Sequence, residues 1–238
     1  DGRRPDDDLT DKETEPGTAM DQTEKKRRAA RAALEYIEMG TALGVGTGST
    51  VNELIEFLPE VADRLTSVVS SSSETTRRLQ AKGIEVSELN SVGDLDLYID
   101  GADEATKHFH LTKGGGGALT REKVIAAASR KFVCIIDDSK LVGMLGGFPL
   151  PIEVIPMAQA YIARQIIRYR GQPIWREGFV TDNGNHIIDV HNLSIANPVE
   201  METRFNQLPG VVTAGLFAHR PADVLLVAGR EGVRTMQR

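Results

Sequence analysis

The spacing of apolar residues alternates between helical and strand periodicity through the first 147 residues. Apolar residues every three or four positions predict helices, and short continuous apolar runs bounded by glycine or polar turns predict buried strands. Helices are predicted at 24–38, 51–58, 73–83 and 120–131, and strands at 41–45, 64–70, 95–100, 108–113 and 132–137. This alternation predicts an α/β fold: a Rossmann-like, mainly parallel sheet with helices on both faces.

The pattern changes after residue 147. The next elements predicted are a strand at 152–156, a helix at 157–171, strands at 172–177 and 179–192 with a turn at Asn183-Gly184 inside the second, a helix at 198–210 and a strand at 211–217. The order β-α-β-β-α-β is that of a ferredoxin-like α+β unit. A last strand at 222–229 and a helix at 231–237 are predicted to return to the first sheet.

These patterns predict three parts of the chain. A Rossmann-like catalytic domain is expected at 20–147 and 221–238, with a small ferredoxin-like domain inserted at 148–220. Residues 1–19 are rich in Asp, Glu, Thr, Gly and Pro, which bury too little apolar surface to fold. We therefore predict that 1–19 form a disordered tail.

Composition argues against several classes of protein. No apolar run approaches the roughly 18 residues of a membrane span, and the acidic, polar N-terminus does not resemble a signal peptide. The single cysteine, Cys134, lies in a predicted buried strand and has no partner within the chain for a disulfide. A chain without an internal disulfide is typical of a reducing compartment, so we predict a cytoplasmic protein without membrane partners.

The net charge of −6 is unevenly distributed along the chain. Residues 1–19 hold seven acidic and three basic residues, whereas the remainder holds 27 acidic and 25 basic residues. A nearly neutral body does not present the broad basic surface that nucleic acids require. We therefore predict no nucleic-acid partner.

The first stretch with candidate chemistry is Gly44-Val-Gly-Thr-Gly-Ser-Thr50, between a predicted strand and a predicted helix. Glycines there let backbone N–H groups approach an anion, and a helix N-terminus favours negative charge. The stretch lacks the Gly-Lys-Ser/Thr of a Walker loop, and its third glycine comes one position too early for a dinucleotide fingerprint. It indicates a phosphate group rather than a nucleotide, although a tight turn that needs glycine only for packing is the alternative. The hydroxyl-rich turn at 70–73 is interpreted as a helix cap.

The second stretch is Asp100-Gly-Ala-Asp103-Glu104, at the end of an apolar strand. Acidic residues at a strand end can bind a metal, accept hydrogen bonds from hydroxyl groups, or form a solvated turn. We favour the hydroxyl groups of a sugar, for which carboxylates are natural acceptors. His108 and His110 are predicted on one face of the next strand, but we interpret them as ordinary side chains and predict no metal site.

The third stretch, "KGGGGALTREK", places four glycines between Lys113 and Glu122. Four ordered glycines are costly in conformational entropy, and a helix start alone does not need them. A fixed carboxylate beside a cation is suited to removing a proton next to a carbonyl, because the cation stabilises the enolate oxygen. The helix N-terminus and the lysine should both lower the pKa of Glu122, whereas closure of the site and exclusion of water would offset this effect, and the sequence leaves the balance open.

Six motifs, in this order, closely resemble the ribose-5-phosphate isomerase family of type A: "GVGTGST", "SSS", "YIDGADE", "KGGGGALTREK", "DDSK" and "FPLPIEVIPMA". The resemblance extends from about Lys26 to the C-terminus. It implies an aldose–ketose isomerase of the non-oxidative pentose phosphate pathway that interconverts D-ribose 5-phosphate and D-ribulose 5-phosphate through an enediolate, without metal or cofactor. Gly117 departs from the family pattern, where we expect alanine to be common.

The resemblance also implies roles for individual residues. Glu122 would be the general base, Lys113 would stabilise the charged oxygen, and Asp100 and Asp103 would hold hydroxyl groups and assist ring opening. The substrate-binding residues would be Thr47, Gly48, Ser49, Thr50, Gly101, Ala102, Gly114, Gly115, Gly116 and Lys140, together with Lys26. A homodimer or homotetramer is implied as well.

Two other functions stay open at this point. A sugar-phosphate sensor would use the same sheet to control a DNA-binding module, but no helix-turn-helix pattern precedes residue 40. A nicotinamide-dependent dehydrogenase is disfavoured by the glycine spacing of the first loop.

Overall fold

The computed structural model describes residues 21–238, so the predicted tail lies outside the described residues. The helices are α1 (Gln22–Ala33), α2 (Ser49–Phe57), α3 (Ser73–Ala81), α4 (Leu89–Val92), α5 (Leu119–Ala127), α6 (Gln159–Arg168) and α7 (Pro198–Asn206). The first strands are β1 (Thr41–Val45), β2 (Leu65–Ser70), β3 (Leu95–Asp100), β4 (Glu104–Ala105), β5 (Leu111–Thr112) and β6 (Ser129–Asp137). The others are β7 (Leu150–Val154), β8 (Gln172–Trp175), β9 (His186–His191), β10 (Val211–Ala214), β11 (Leu216–Phe217), β12 (Val224–Gly229) and β13 (Gly232–Gln237).

The central sheet has the strand order β13-β12-β6-β3-β1-β2. Every pairing from β12 to β2 is parallel, and only the edge strand β13 is antiparallel. After β1 the chain goes first to β2 on one side and then to β3 on the other. The strand order therefore reverses between β1 and β3, which is where open α/β sheets form their ligand crevice. The predicted α/β class with a mainly parallel sheet is confirmed.

Alternating residues of the sheet pack against different helices, as the period of two in a strand requires. In β6, Val133 and Ile135 belong to the core cluster that also holds Ala29 of α1 and Leu54 of α2. The intervening side chains of β6, such as Cys134, belong to a second cluster with Ile125 of α5. Helix α5 is thus held against one face of the sheet, while α1 and α2 cover the other.

A second sheet has the strand order β10-β7-β9-β8, and all its pairings are antiparallel. Together with α6 and α7 it has the predicted β-α-β-β-α-β order, and its side chains form a separate core cluster. The domain bounds 148–220, 20–147 and 221–238 stay a prediction. A small third sheet, β11-β5-β4, is formed by two strands that lie between β3 and β6 along the chain and by one strand between β10 and β12.

The predicted C-terminal helix is wrong. Residues 232–237 form β13, which pairs along its whole length with β12 through a hairpin at Arg230-Glu231. Seven residues are too few to separate helical from strand periodicity, and the hydrogen bonds available at the sheet edge decide the outcome. The edge strand is also more exposed than β12.

Three predicted strands are shorter than expected. The segment 108–113 is a strand only at Leu111–Thr112. Phe109 has a left-handed backbone (φ 67°) and ends a turn that starts at Thr106. His108 and His110 therefore do not share a strand face. Segment 179–192 is a strand only from His186. The segment 211–217 is divided at Gly215, whose N–H donates to Pro151 (2.7 Å) and whose carbonyl accepts from the N–H of Lys113 (2.8 Å).

Candidate active site

A cavity opens at the carboxyl ends of the parallel strands, at the point where the strand order reverses. Its lining joins five separate parts of the chain: the loop after β1, the loop after β3, the glycine loop before α5, a residue of α1 and a residue of the turn after β6. The predicted residues in the lining are Lys26, Thr47, Gly48, Ser49, Thr50, Gly101, Ala102, Asp103, Lys113, Gly114, Gly115, Gly116, Glu122 and Lys140. Val51 and Ile136 also line it and were not predicted.

Asp100 lies beneath the cavity rather than in its wall. The side chain is fully buried, and its carboxylate accepts hydrogen bonds from the N–H of Thr47 (3.1 Å) and Gly101 (2.7 Å), and from the hydroxyl of Tyr98. The same carboxylate lies 2.7 Å from the ammonium of Lys113. With these partners Asp100 has little capacity left for a sugar hydroxyl, so this geometry does not support the predicted direct contact.

Lys113 is the central cation of the site. Its ammonium lies 2.7 Å from Oδ2 of Asp100 and 3.5 Å from Oε2 of Glu122, and donates to the carbonyl of Gly101. Burial by itself lowers the pKa of a lysine, but the carboxylates of Asp100 and Glu122 outweigh burial and raise the pKa of Lys113. Lys113 is therefore held as a positive charge in the wall of the cavity.

Glu122 lies in the first turn of α5 and is 3% exposed. Among residues 21–238, its Oε2 accepts no hydrogen bond. Burial, followed by the charge of Asp100, raises the pKa of Glu122 well above its ordinary value, and the opposing effect of Lys113 is smaller. Of the two opposing effects that the sequence leaves open, desolvation of the carboxylate therefore outweighs the nearby cation.

Asp103 faces the cavity and is tied to the glycine loop. Its Oδ2 accepts a hydrogen bond from the N–H of Gly115 at 2.8 Å. A Cβ at position 115 would lie 2.6 Å from Oδ1 of Asp103, so the loop approaches this carboxylate closely only because residue 115 is glycine. Burial raises the pKa of Asp103, although the Gly115 N–H, Lys113 and Lys140 partly oppose it.

The loop after β1 leads into the N-terminus of α2 at Ser49. The hydroxyl of Thr47 turns towards the hydroxyl-rich turn after β2, where it contacts Ser71 (2.7 Å) and Ser72 (2.8 Å). Ser72 also caps α3, as predicted, by accepting from the N–H of Thr75. The sequence signal for this turn was its run of serines, and its further role of holding Thr47 was missed.

Two lysines line the same cavity as the start of α2. Lys26 comes from α1, and Lys140 comes from the short turn after β6. Within the described part of the chain neither ammonium makes a salt bridge, whereas Lys25, next to Lys26, is paired with Asp138 at 2.7 Å. The cavity thus combines a helix N-terminus, hydroxyl groups and two cations, a combination suited to a phosphate group.

Within residues 21–238, no group of three or more His, Cys, Asp and Glu side chains is placed to hold a metal ion. The rings of His108 and His110 have centroids 6.4 Å apart and lie outside the cavity lining. In the same range, no helix is long and apolar enough to cross a bilayer.

Comparison with known proteins agrees with this geometry. Residues 67–232 match the family model for ribose 5-phosphate isomerase A (phosphoriboisomerase A). The chain belongs to this family. The ribose 5-phosphate isomerase A of Neisseria gonorrhoeae is 42% identical, with a TM-score of 0.90, over 92% of this chain and 98% of that one. The enzyme of Methanocaldococcus jannaschii is 34% identical, with a TM-score of 0.86, over 92% of this chain and 100% of that one.

A third ribose 5-phosphate isomerase structure contains phospho-erythronic acid. It is 36% identical to this chain, with a TM-score of 0.89, over 92% of this chain and 100% of that one. The predicted family and the predicted class of enzyme, an aldose–ketose isomerase, are confirmed. The roles of individual residues of this chain stay predictions.

Proposed function

We propose that this chain interconverts D-ribose 5-phosphate and D-ribulose 5-phosphate through an enediolate. The observation that carries the proposal is the pairing of Lys113 Nζ with Glu122 Oε2 at 3.5 Å in the wall of one cavity. Membership of the ribose 5-phosphate isomerase A family supports the choice of substrate. The phospho-erythronic acid bound by a relative is a phosphorylated sugar acid, and it shares a phosphate group and a hydroxylated carbon chain with ribose 5-phosphate.

The phosphate group would occupy the end of the cavity near α2. Ser49 and Thr50 at the start of α2 line the same cavity as Lys26 and Lys140. Backbone N–H groups at a helix N-terminus bind phosphate well, and the two ammonium groups offset its charge. This arrangement leaves the carbonyl end of the sugar to Lys113 and Glu122.

Proton transfer would be carried out by Glu122. Its carboxylate removes the proton from carbon 2 of the open-chain aldose, the released electron pair forms a double bond between carbons 1 and 2, and the carbonyl π electrons move to the oxygen on carbon 1. Lys113 stabilises the negative charge on that oxygen. Return of the proton to carbon 1, together with transfer of the carbon 2 hydroxyl proton to the oxygen on carbon 1, gives the ketose.

Burial raises the pKa of Glu122 above its ordinary value, and a higher pKa makes a carboxylate a stronger base. Asp103, which faces the cavity, would contact a substrate hydroxyl and assist ring opening. Asp100 would act beneath the site by holding Lys113 and the N–H of Thr47.

The test is to incubate the protein with ribose 5-phosphate and measure formation of the ketose, with and without EDTA. We expect turnover in both samples, and unphosphorylated ribose should react far more slowly because it lacks the group that Lys26 and Lys140 would bind. Binding of ribose 5-phosphate without turnover would favour the sensor instead. If EDTA abolished turnover and a divalent ion restored it, the metal-free scheme would be contradicted.

The finer assignments belong to the same proposal. We place the reaction in the non-oxidative pentose phosphate pathway of the cytoplasm and expect a homodimer or homotetramer. Light scattering on the purified chain would measure the oligomeric state.

A further inference from the structure

The loop between β8 and β9, residues 176–185, comes from the second sheet but lies against the glycine loop of the site. Arg176 donates from Nη1 to the carbonyl of Gly115 (3.1 Å) and from Nη2 to the carbonyl of Gly114 (3.2 Å). The other edge of the guanidinium is paired with both carboxylate oxygens of Asp189, at 2.6 and 2.8 Å. A guanidinium bound in this forked manner has a fixed orientation, so it holds both carbonyls in place.

Glu153, in the middle of β7, makes a second connection to the same region. It is fully buried and does not line the cavity, although it belongs to the "FPLPIEVIPMA" motif. Its carboxylate accepts hydrogen bonds from Thr181 (2.8 Å), Asn185 (2.9 Å), Asn183 (3.2 Å) and the hydroxyl of Thr120. A buried carboxylate is costly unless it is hydrogen-bonded, and here four neutral donors compensate it.

The donors of Glu153 explain why the strand predicted at 179–192 begins only at His186. Thr181, Asn183 and Asn185 bind the carboxylate, and the N–H of Thr181 bonds to the carbonyl of Asn185 in a turn instead of a ladder. The fourth donor, Thr120, lies in the first turn of α5, two residues before Glu122. Glu153 therefore ties the turn 181–185 and the start of α5 to one point.

Two further contacts join the loop to the same stretch of chain. Arg121 donates to the side chain of Asn183 (2.9 Å) and to the carbonyl of Asp182 (3.1 Å). The ring of Phe179 occupies the space where a side chain at position 117 would lie. All these contacts fall on residues 114–121, between Lys113 and Glu122.

We propose that Arg176 and Glu153 are positioning residues, which hold segment 114–122 so that the carboxylate of Glu122 faces the cavity beside Lys113. This inference rests on the proposed function. Neither side chain lines the cavity, and the groups proposed to bind the phosphate lie on other loops. Loss of either residue should therefore affect proton transfer more than binding.

The test compares Arg176→Ala and Glu153→Gln with the wild type for isomerisation of ribose 5-phosphate. We expect kcat to fall by about 10- to 100-fold, because small displacements of a catalytic group have effects of this size. KM should change much less than kcat. The matched controls are Arg168→Ala in α6 and Glu200→Gln in α7, which make the same changes at exposed positions. Both should leave kcat unchanged.

A double-mutant cycle separates positioning from a general structural effect. In a Glu122→Gln background, Arg176→Ala should lower the residual kcat very little, because the group that it positions is already lost. The proposal would be overturned if Arg176→Ala lowered kcat by the same factor in the Glu122→Gln background as in the wild type. It would also be overturned if Arg176→Ala alone left kcat unchanged. The side chain of Arg176 is partly exposed (19%), so Arg176→Ala is expected to fold. The test with Arg176→Ala therefore stands even if Glu153→Gln does not fold. A wild type without turnover would contradict the proposed function instead.

Discussion

The ammonium of Lys113 lies 3.5 Å from Oε2 of Glu122, and that oxygen accepts no hydrogen bond from the rest of the described chain. The same ammonium lies closer to Oδ2 of Asp100, at 2.7 Å, so the two carboxylates share one cation. The carboxylate of Glu122 therefore keeps a lone pair that its neighbours do not use. A buried carboxylate with a free lone pair beside a fixed cation is the arrangement that removal of a carbon-bound proton requires.

Glu122→Gln should lower kcat by about two to four orders of magnitude, because the amide keeps the size of the side chain but cannot accept the proton. KM should change little, since the phosphate contacts lie on other loops. Wild-type turnover should also exchange hydrogen between substrate carbon 1 or 2 and water, and the variant should not. Glu200→Gln, the same change on the exposed face of α7, is the control. A folded Glu122→Gln protein with nearly normal kcat would remove Glu122 from the mechanism, and Asp103 would be tested next.

The stability difference between Glu122→Gln and the wild type should depend on pH. The folded-state pKa of Glu122 is raised above its unfolded value, so the contribution of this group is fully present below the unfolded pKa of about 4.3 and is lost as pH rises through the folded pKa. Glutamine does not titrate. The variant should therefore become more stable relative to the wild type as pH rises. Urea unfolding at pH 5 and pH 8 measures this, and a difference that stays constant or reverses would contradict the raised pKa.

Lys113→Met should destabilise the fold by about 3–5 kcal/mol, because it leaves the buried carboxylate of Asp100 without its cation. Adding Asp100→Asn to this variant should recover part of the loss. Lys82→Met is the matched control: its pair with Glu56 is exposed at 2.6 Å, and its loss should cost about 0–1 kcal/mol. Urea midpoints give all three values. If Lys113→Met and Lys82→Met lowered the free energy of unfolding equally, the buried ion pair would contribute no more to stability than the exposed one.

Gly117→Ala should cost about 1–2 kcal/mol from its left-handed backbone alone (φ 82°). The Cβ would also lie 2.1 Å from Cζ of Phe179, so the phenyl ring must move. Gly116→Ala is the control for stability in the same loop, because its Cβ would find its nearest neighbour at 3.8 Å. Phe179→Ala should reduce the cost of Gly117→Ala. If Gly116→Ala and Gly117→Ala are equally stable, the contact with Phe179 does not constrain the loop.

Part of the site was predictable from the sequence because many of its residues follow the ends of parallel strands, although the glycine loop follows β5, which pairs antiparallel, and Lys26 lies in α1. The carboxyl ends of such strands meet at one edge of the sheet, so the loops after β1, β3 and β6 had to lie together. Their residue types then indicated phosphate and sugar chemistry. Fourteen of the fifteen predicted site residues line the cavity, and Asp100 is the exception.

Other features depended on contacts between residues far apart in the sequence, which local sequence patterns do not reveal. The edge strand β13 was predicted as a helix because a seven-residue run carries both periodicities, and the free edge of β12 decided between them. The pKa of Glu122 depended on how far tertiary packing removes water from its carboxylate. Arg176 and Glu153 are separated from Glu122 by more than 30 positions along the chain, and only the second sheet brings them to the glycine loop. Periodicity and residue type determined which loops meet, whereas burial and long-range hydrogen bonds determined which charges stay paired, since both depend on the complete packing of the chain.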